Sequence, residues 1–130
     1  MTVSPLAPHA FPVLPDISGV ALSTAASGMK YAGRDDMLLM RLEDGGTLAA
    51  VFTRSDMAAA PVAWCRQQLA GGGAPRALLV NAGNANAFTG DGGMAAVEAC
   101  CRGMASRLGC APGEVMMAST GVIGEPLDTT

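Results

Sequence analysis

One long apolar stripe limits the possible folds of this 130-residue chain more than any other part of its sequence. The stripe repeats at spacings of three, four, three and four residues, and its members are Met94, Val97, Cys101, Met104 and Leu108. That spacing is the period of one face of an α-helix. Gly109 follows directly, and glycine commonly ends a helix there. With Asp91 as the capping residue at its start, the pattern therefore predicts a helix that ends before Gly109. The apolar face of this helix must pack against another element.

Shorter patterns predict a second helix and several strands. A proline at the first position, apolar residues three and four apart and a following run of glycines predict a helix over residues 61–70. Apolar runs predict strands at residues 37–42, 47–53, 77–80 and from Val115 onward. Because Asp44-Gly45 separates the first two runs, we expect them to form a hairpin. The order strand, strand, helix, strand, helix, strand predicts a mixed α/β fold, with helices packed on layers of a mixed sheet.

Charge and length exclude several classes of partner. The net charge is −3 and no basic cluster occurs, which argues against a nucleic-acid partner. No apolar run approaches the length that spans a bilayer, so no membrane partner is expected. Residues 1–15 contain four prolines and no basic segment, which predicts an extended lead-in and not a signal peptide. We therefore expect a cytoplasmic protein with a single domain over residues 16–130.

The cysteines do not form a metal-binding pattern. None of Cys65, Cys100, Cys101 and Cys110 is spaced as Cys-x-x-Cys, and the only histidine, His9, lies in the lead-in. A zinc site needs a larger set of nitrogen and sulfur ligands than this chain offers. We therefore predict reduced, buried thiols and no bound metal.

The stretch from Val115 to Pro126 is the first candidate site. An apolar run that predicts a buried strand is followed by Ser119-Thr120-Gly121. Thr120 supplies a hydroxyl donor, and the backbone N–H of Gly121 has no Cβ to keep a ligand away. The two donors would suit a developing oxyanion. The alternative is an ordinary turn at the end of a strand, which these residues alone favour because turns are far commoner.

An asparagine-rich stretch follows the strand predicted at residues 77–80. Asn81, Asn84 and Asn86 fall within six residues, beside Gly83. Asparagine tolerates left-handed backbone and bonds to neighbouring main chain, so the stretch predicts a tight polar loop. Such a loop either has a structural role or braces a ligand pocket. Neither a phosphate-binding loop nor a dinucleotide fingerprint is present.

Two stretches resemble the signatures of the ornithine acetyltransferase family. Residues 81–90 resemble its Asn-Ser-Gly-Asn-Ala-Asn-Ala-Cys-Thr-Gly sequence, and residues 118–127 are similar to its second signature at almost every position. Shorter matches occur in order at residues 28–30, 36–39, 51–53 and 59–62. Ala82 and Phe88 depart from the usual serine and cysteine, so the resemblance assigns no role to those two side chains.

The resemblance implies a glutamate N-acetyltransferase of arginine biosynthesis. Members move an acetyl group from N-acetylornithine to glutamate through an acetyl-threonine intermediate. A precursor cuts itself, and the new N-terminal threonine of the beta chain is the nucleophile. On this resemblance Thr120 and Gly121 form the oxyanion hole, and Asn81, Gly83, Asn84 and Asn86 brace the pocket. The implied assembly has two alpha and two beta chains and no cofactor, with acetyl-CoA as a possible alternative donor.

The resemblance also implies that residues 16–130 are the front part of an alpha chain. The fold expected is a sandwich of the self-processing aminopeptidase and ornithine acetyltransferase type, incomplete in this chain. The family's Ala-Thr cleavage junction is absent, so we expect no nucleophile here and no activity from this polypeptide alone. Two alternatives stay open: a self-processing aminopeptidase or amidase of the same fold, and a non-catalytic α/β assembly module.

Overall fold

The computed structural model of the protein describes residues 5–129. Its regular elements are β1 (Val20–Ala25), β2 (Met37–Leu42), α1 (Ala60–Ala70), β3 (Ala77–Asn84), α2 (Gly90–Leu108), a short 3-10 turn (Pro112–Glu114) and β4 (Val115–Val122). The predicted mixed α/β fold is confirmed. Residues 5–15 contain no helix or strand, and the first four residues of the predicted lead-in lie outside the described part of the chain.

The four strands form one mixed sheet in the order β1-β2-β3-β4. The β1–β2 and β2–β3 pairs are antiparallel, whereas β3 and β4 are parallel. A parallel pair needs a long crossover, and α2 lies in the connection between these two strands. This arrangement brings Asn81 to Asn84, the first part of the asparagine stretch, beside the end of β4.

Both helices pack on the sheet as their apolar spacing predicts. Val97, Cys101 and Ala105 of α2 are buried, and Gly109 ends the helix with a left-handed φ of 69°. In α1, Trp64 is buried and its indole Nε1 donates a hydrogen bond of 2.9 Å to the carbonyl of Val115. This contact fixes α1 against the start of β4.

The predicted hairpin between residues 37–42 and 47–53 is wrong. A turn does occur at Asp44 and Gly45, but residues 47–53 form no strand. β2 pairs instead with β1 on one edge and with β3 on the other. Since a strand has only two hydrogen-bonding edges, none remains for residues 47–53. Leu48 and Phe52 of this segment line an apolar groove of about 350 Å³ beside α1.

Candidate active site

The predicted oxyanion residues lie where β4 leaves the core. Val115, Met116 and Met117 are buried, whereas Thr120 and Gly121 are exposed. Within residues 5–129, the Thr120 side chain has no hydrogen-bond partner. A hydroxyl that faces solvent at the end of an anchored strand is free to bond to a bound group.

Gly121 crosses Gly83 at very short range. The two glycines are paired in the parallel register of β3 and β4, with φ values of 137° and 138°. A Cβ on Gly121 would lie 2.2 Å from the carbonyl carbon of Gly83 and 2.5 Å from the nitrogen of Asn84. The register also shifts here, because Asn84 pairs with both Thr120 and Val122. Glycine at position 121 is therefore required by the backbone contact as well as by the positive φ.

The predicted asparagine loop begins as part of a strand. Asn81, Gly83 and Asn84 belong to β3, and only Asn86 lies beyond it. The prediction of a loop over residues 81–90 is therefore wrong for residues 81–84. Their backbone pairs with β4, so they continue the strand despite the polar side chains.

Asn81 and Asn84 hold the chain on either side of the Thr120-Gly121 pair. The Ser119 hydroxyl donates to Oδ1 of Asn81 at 2.6 Å, and Nδ2 of Asn81 donates to the Asn84 carbonyl at 2.9 Å. Nδ2 of Asn84 donates to the carbonyls of Glu125 and Pro126 at 3.0 and 3.2 Å. Both amides are buried, at 1% and 5% exposed, where an unpaired polar group is costly. Sequence reasoning did not single out Ser119.

Asn86 connects the starts of the two helices to the end of β3, where its N–H donates to Oδ1 of Asn84 at 2.7 Å. Its Nδ2 donates to the Gly93 carbonyl at 2.9 Å, and its Oδ1 accepts from the Thr89 hydroxyl at 2.7 Å. Its own carbonyl accepts from the N–H of Ala60, the first residue of α1. Asn86 is fully buried with a left-handed φ of 45°. It therefore fixes the starts of α1 and α2 relative to the end of β3.

The charged residues near position 30 have separate roles in the structure. Asp36 is 3% exposed and accepts the N–H groups of Ser27 and Met29 at 2.6 and 3.0 Å. These hydrogen bonds lower the pKa of the Asp36 carboxyl below its ordinary value, and the bond from the Ser27 N–H has the largest effect. Lys30 forms an ion pair with Glu125 at 3.2 Å, and its Cβ lies 2.9 Å from the Cβ that Gly83 would carry.

The four thiols are free; Cys65 and Cys101 are buried, and Cys100 and Cys110 are half-buried. Burial raises the pKa of the Cys101 thiol to about 12. Among residues 5–129, no three His, Cys, Asp or Glu side chains are grouped so that they could hold a metal ion. In the same part of the chain, no helix combines the length and apolar character needed to cross a membrane.

The sequence relationships agree with this arrangement. Residues 21–130 match the ArgJ family model. The arginine biosynthesis bifunctional proteins ArgJ of Agrobacterium fabrum and Mesorhizobium japonicum are 52% and 53% identical to the chain, over 100% and 99% of its length. The chain belongs to the ArgJ family. The predicted resemblance is thereby confirmed, although the chain spans only 31% of the length of these two relatives.

Solved ArgJ structures share the fold. ArgJ from Bacillus halodurans matches with a TM-score of 0.80 at 32% identity, over 85% of this chain and 57% of that one. Ornithine acetyltransferase from Mycobacterium tuberculosis, solved as a complex with ornithine, matches with a TM-score of 0.74 at 37% identity. That match covers 85% of this chain and 60% of the other. The predicted fold type is thus confirmed for most of the chain.

Proposed function

We propose that this chain supplies the oxyanion hole of an ornithine acetyltransferase. In the proposed reaction an acetyl group moves from N-acetylornithine to glutamate. The observation that carries the proposal is the exposed Thr120-Gly121 pair, which lies between two buried asparagine anchors at the end of β4. Membership in the ArgJ family and the relative solved with ornithine support the substrate class.

The chemistry consists of two acyl transfers. In the first, a threonine hydroxyl of a partner chain attacks the acetyl carbonyl carbon, and the bond to the ornithine nitrogen breaks. In the second, the glutamate amine attacks the acetyl-threonine ester, and the bond to the threonine oxygen breaks. The α-amine of an N-terminal threonine can take up and return the proton in each step. No net oxidation occurs, and no cofactor is needed; acetyl-CoA could replace N-acetylornithine as the donor.

Each transfer passes through a tetrahedral oxyanion that needs fixed donors. We assign these donors to the hydroxyl of Thr120 and the backbone N–H of Gly121. A preorganised donor of this kind contributes about 10²- to 10³-fold to kcat. Asn81, Gly83 and Asn84 hold the donors in place, and Asn86 fixes the helices behind them. The nucleophile would come from a beta chain, in an assembly of two alpha and two beta chains in the cytoplasm.

The first test is an intact-mass and N-terminal sequencing experiment on the native protein from its source. We expect a second chain that begins with threonine. A single 130-residue species with no partner would refute the assignment of this chain to a processed acetyltransferase. The isolated chain should show no acetyl exchange between N-acetylornithine and glutamate, since it lacks the nucleophile.

The second test uses the processed enzyme and Thr120→Val, which keeps the shape of the side chain and removes its hydroxyl. We expect kcat to fall by about 10²- to 10³-fold in both half-reactions. Unchanged kcat would refute the assignment of Thr120 to the oxyanion hole.

Incubation of the wild type with N-acetylornithine separates the two reaction classes, transferase and amidase. Acetylglutamate that forms only when glutamate is present supports the transferase. Free acetate formed at the same rate without glutamate would instead indicate an amidase.

A further inference from the structure

We propose that Ser119 is a positioning residue that aims the Thr120 hydroxyl at the oxyanion, an inference that rests on the proposed function. Its hydroxyl donates a 2.6 Å hydrogen bond to Oδ1 of Asn81 on the neighbouring strand. Ser119 is half-buried, whereas Thr120, the next residue, is exposed. Successive side chains of a strand point to opposite faces, so an anchor on Ser119 also sets the direction of Thr120.

The acceptor of this hydrogen bond is itself fixed. Asn81 is 1% exposed, and its Nδ2 donates to the carbonyl of Asn84 at 2.9 Å. That bond fixes which side of the amide faces Ser119, because only the oxygen remains to accept. The link therefore runs from β4 through a buried amide to the backbone of β3. Because the acceptor is rigid, the Ser119 side chain has one preferred rotamer. The hydrogen bond therefore also restrains the backbone at Ser119.

The position of this link matters because the strand pairing is irregular just beyond it. The register of β3 and β4 shifts at Gly83 and Asn84, and a bulge of this kind increases twist and disrupts the ladder. Gly121 has no side chain to pack, and Thr120 has no side-chain partner within residues 5–129. Beyond the pair, the Ala85 N–H donates a 2.8 Å bond to the Val122 carbonyl. Ser119 thus supplies the side-chain anchor immediately before the two donors.

The test compares Ser119→Val with Ser119→Thr in the processed enzyme. The two replacements have nearly the same shape, and only threonine keeps the hydroxyl. For Ser119→Val we expect kcat to fall by about 10- to 100-fold, the range expected when a catalytic group is displaced by up to about 1 Å. Ser119→Thr should restore most of the lost activity. Because one oxyanion hole serves both acyl transfers, both half-reactions should slow by the same factor while both KM values stay within about twofold.

Thr89→Val is the matched control. It removes a hydroxyl bond of similar length, 2.7 Å, to the amide oxygen of Asn86, whose side-chain Nδ2 donates to the Gly93 carbonyl of α2. Both variants should lose similar stability in urea unfolding, but Thr89→Val should keep kcat within about twofold of the wild type.

Several results would overturn the role of Ser119. The role is refuted if Ser119→Val has the same kcat as the wild type. It is also refuted if kcat falls equally in Ser119→Val and Ser119→Thr, or equally in Ser119→Val and Thr89→Val. If Ser119→Val fails to fold, failure of the folded Ser119→Thr to approach wild-type kcat would overturn the role instead. Absence of acetyl exchange in the wild type would refute the proposed function itself, which is a separate outcome.

Discussion

Gly121→Ala is expected to separate β3 and β4 at the candidate oxyanion hole. The new Cβ would lie 2.2 Å from the Gly83 carbonyl carbon, whereas ordinary contacts begin near 3.4 Å. β4 must therefore move away by about 1 Å, which stretches neighbouring hydrogen bonds, such as the 2.8 Å bond from Ala85 to Val122, beyond useful range. Two lost bonds at about 1 kcal/mol each and about 1–2 kcal/mol for the positive φ add to about 3–4 kcal/mol.

Urea unfolding of the wild type and Gly121→Ala measures this loss in the free energy of unfolding. Gly103→Ala is the matched control, because Gly103 lies exposed in α2 and its added Cβ would meet nothing within 4 Å. There the same substitution should stabilise the protein by about 0.5–1 kcal/mol through helix propensity. A loss below about 1 kcal/mol for Gly121→Ala would refute the argument that the close contact between the strands requires glycine.

Two further predictions concern buried polar groups. Asn86→Ala should lower the free energy of unfolding by about 2–4 kcal/mol, measured in urea, because it leaves the Gly93 carbonyl and the Thr89 hydroxyl without their partner; a loss under about 1 kcal/mol would contradict this bracing role. Asp36→Asn should destabilise the protein near neutral pH. Since the folded-state pKa of Asp36 is depressed, its contribution is present above its ordinary value of 3.8 and is lost as pH falls through the lower folded value. The wild-type and Asp36→Asn unfolding curves should therefore converge in acid, and a constant difference down to the acid limit would contradict the assignment.

The helices were the most predictable part of the fold. The spacing of apolar residues in α2 and the glycine after it placed that helix within two residues of its observed bounds. The proline at the start of α1 did the same. These signals are local, because a helix makes its backbone hydrogen bonds within its own segment. The residue before α2 is Thr89, and the prediction that Asp91 caps this helix is wrong.

Strand partners were less predictable, as the segment 47–53 shows. Its apolar residues and the preceding Asp-Gly turn satisfy the local rules for a hairpin, yet the structure uses both edges of β2 for β1 and β3. The local sequence indicates that a segment can form a strand. It does not indicate which other strands compete for the same edge of a neighbouring strand. The asparagine stretch has the same difficulty, because its polar residues continue β3 only through pairing with β4.

The sequence by itself determined the two helices, the apolar parts of β2, β3 and β4, and the place of Thr120 and Gly121 after a buried run. These features are predictable because periodicity, turn residues and signature motifs each depend on residues that are close together in the sequence. Only the tertiary structure decided that Gly83 crosses Gly121 and that Ser119 bonds to Asn81, 38 residues away. Those contacts depend on the parallel register of two strands, and that register results from the packing of the whole sheet against both helices.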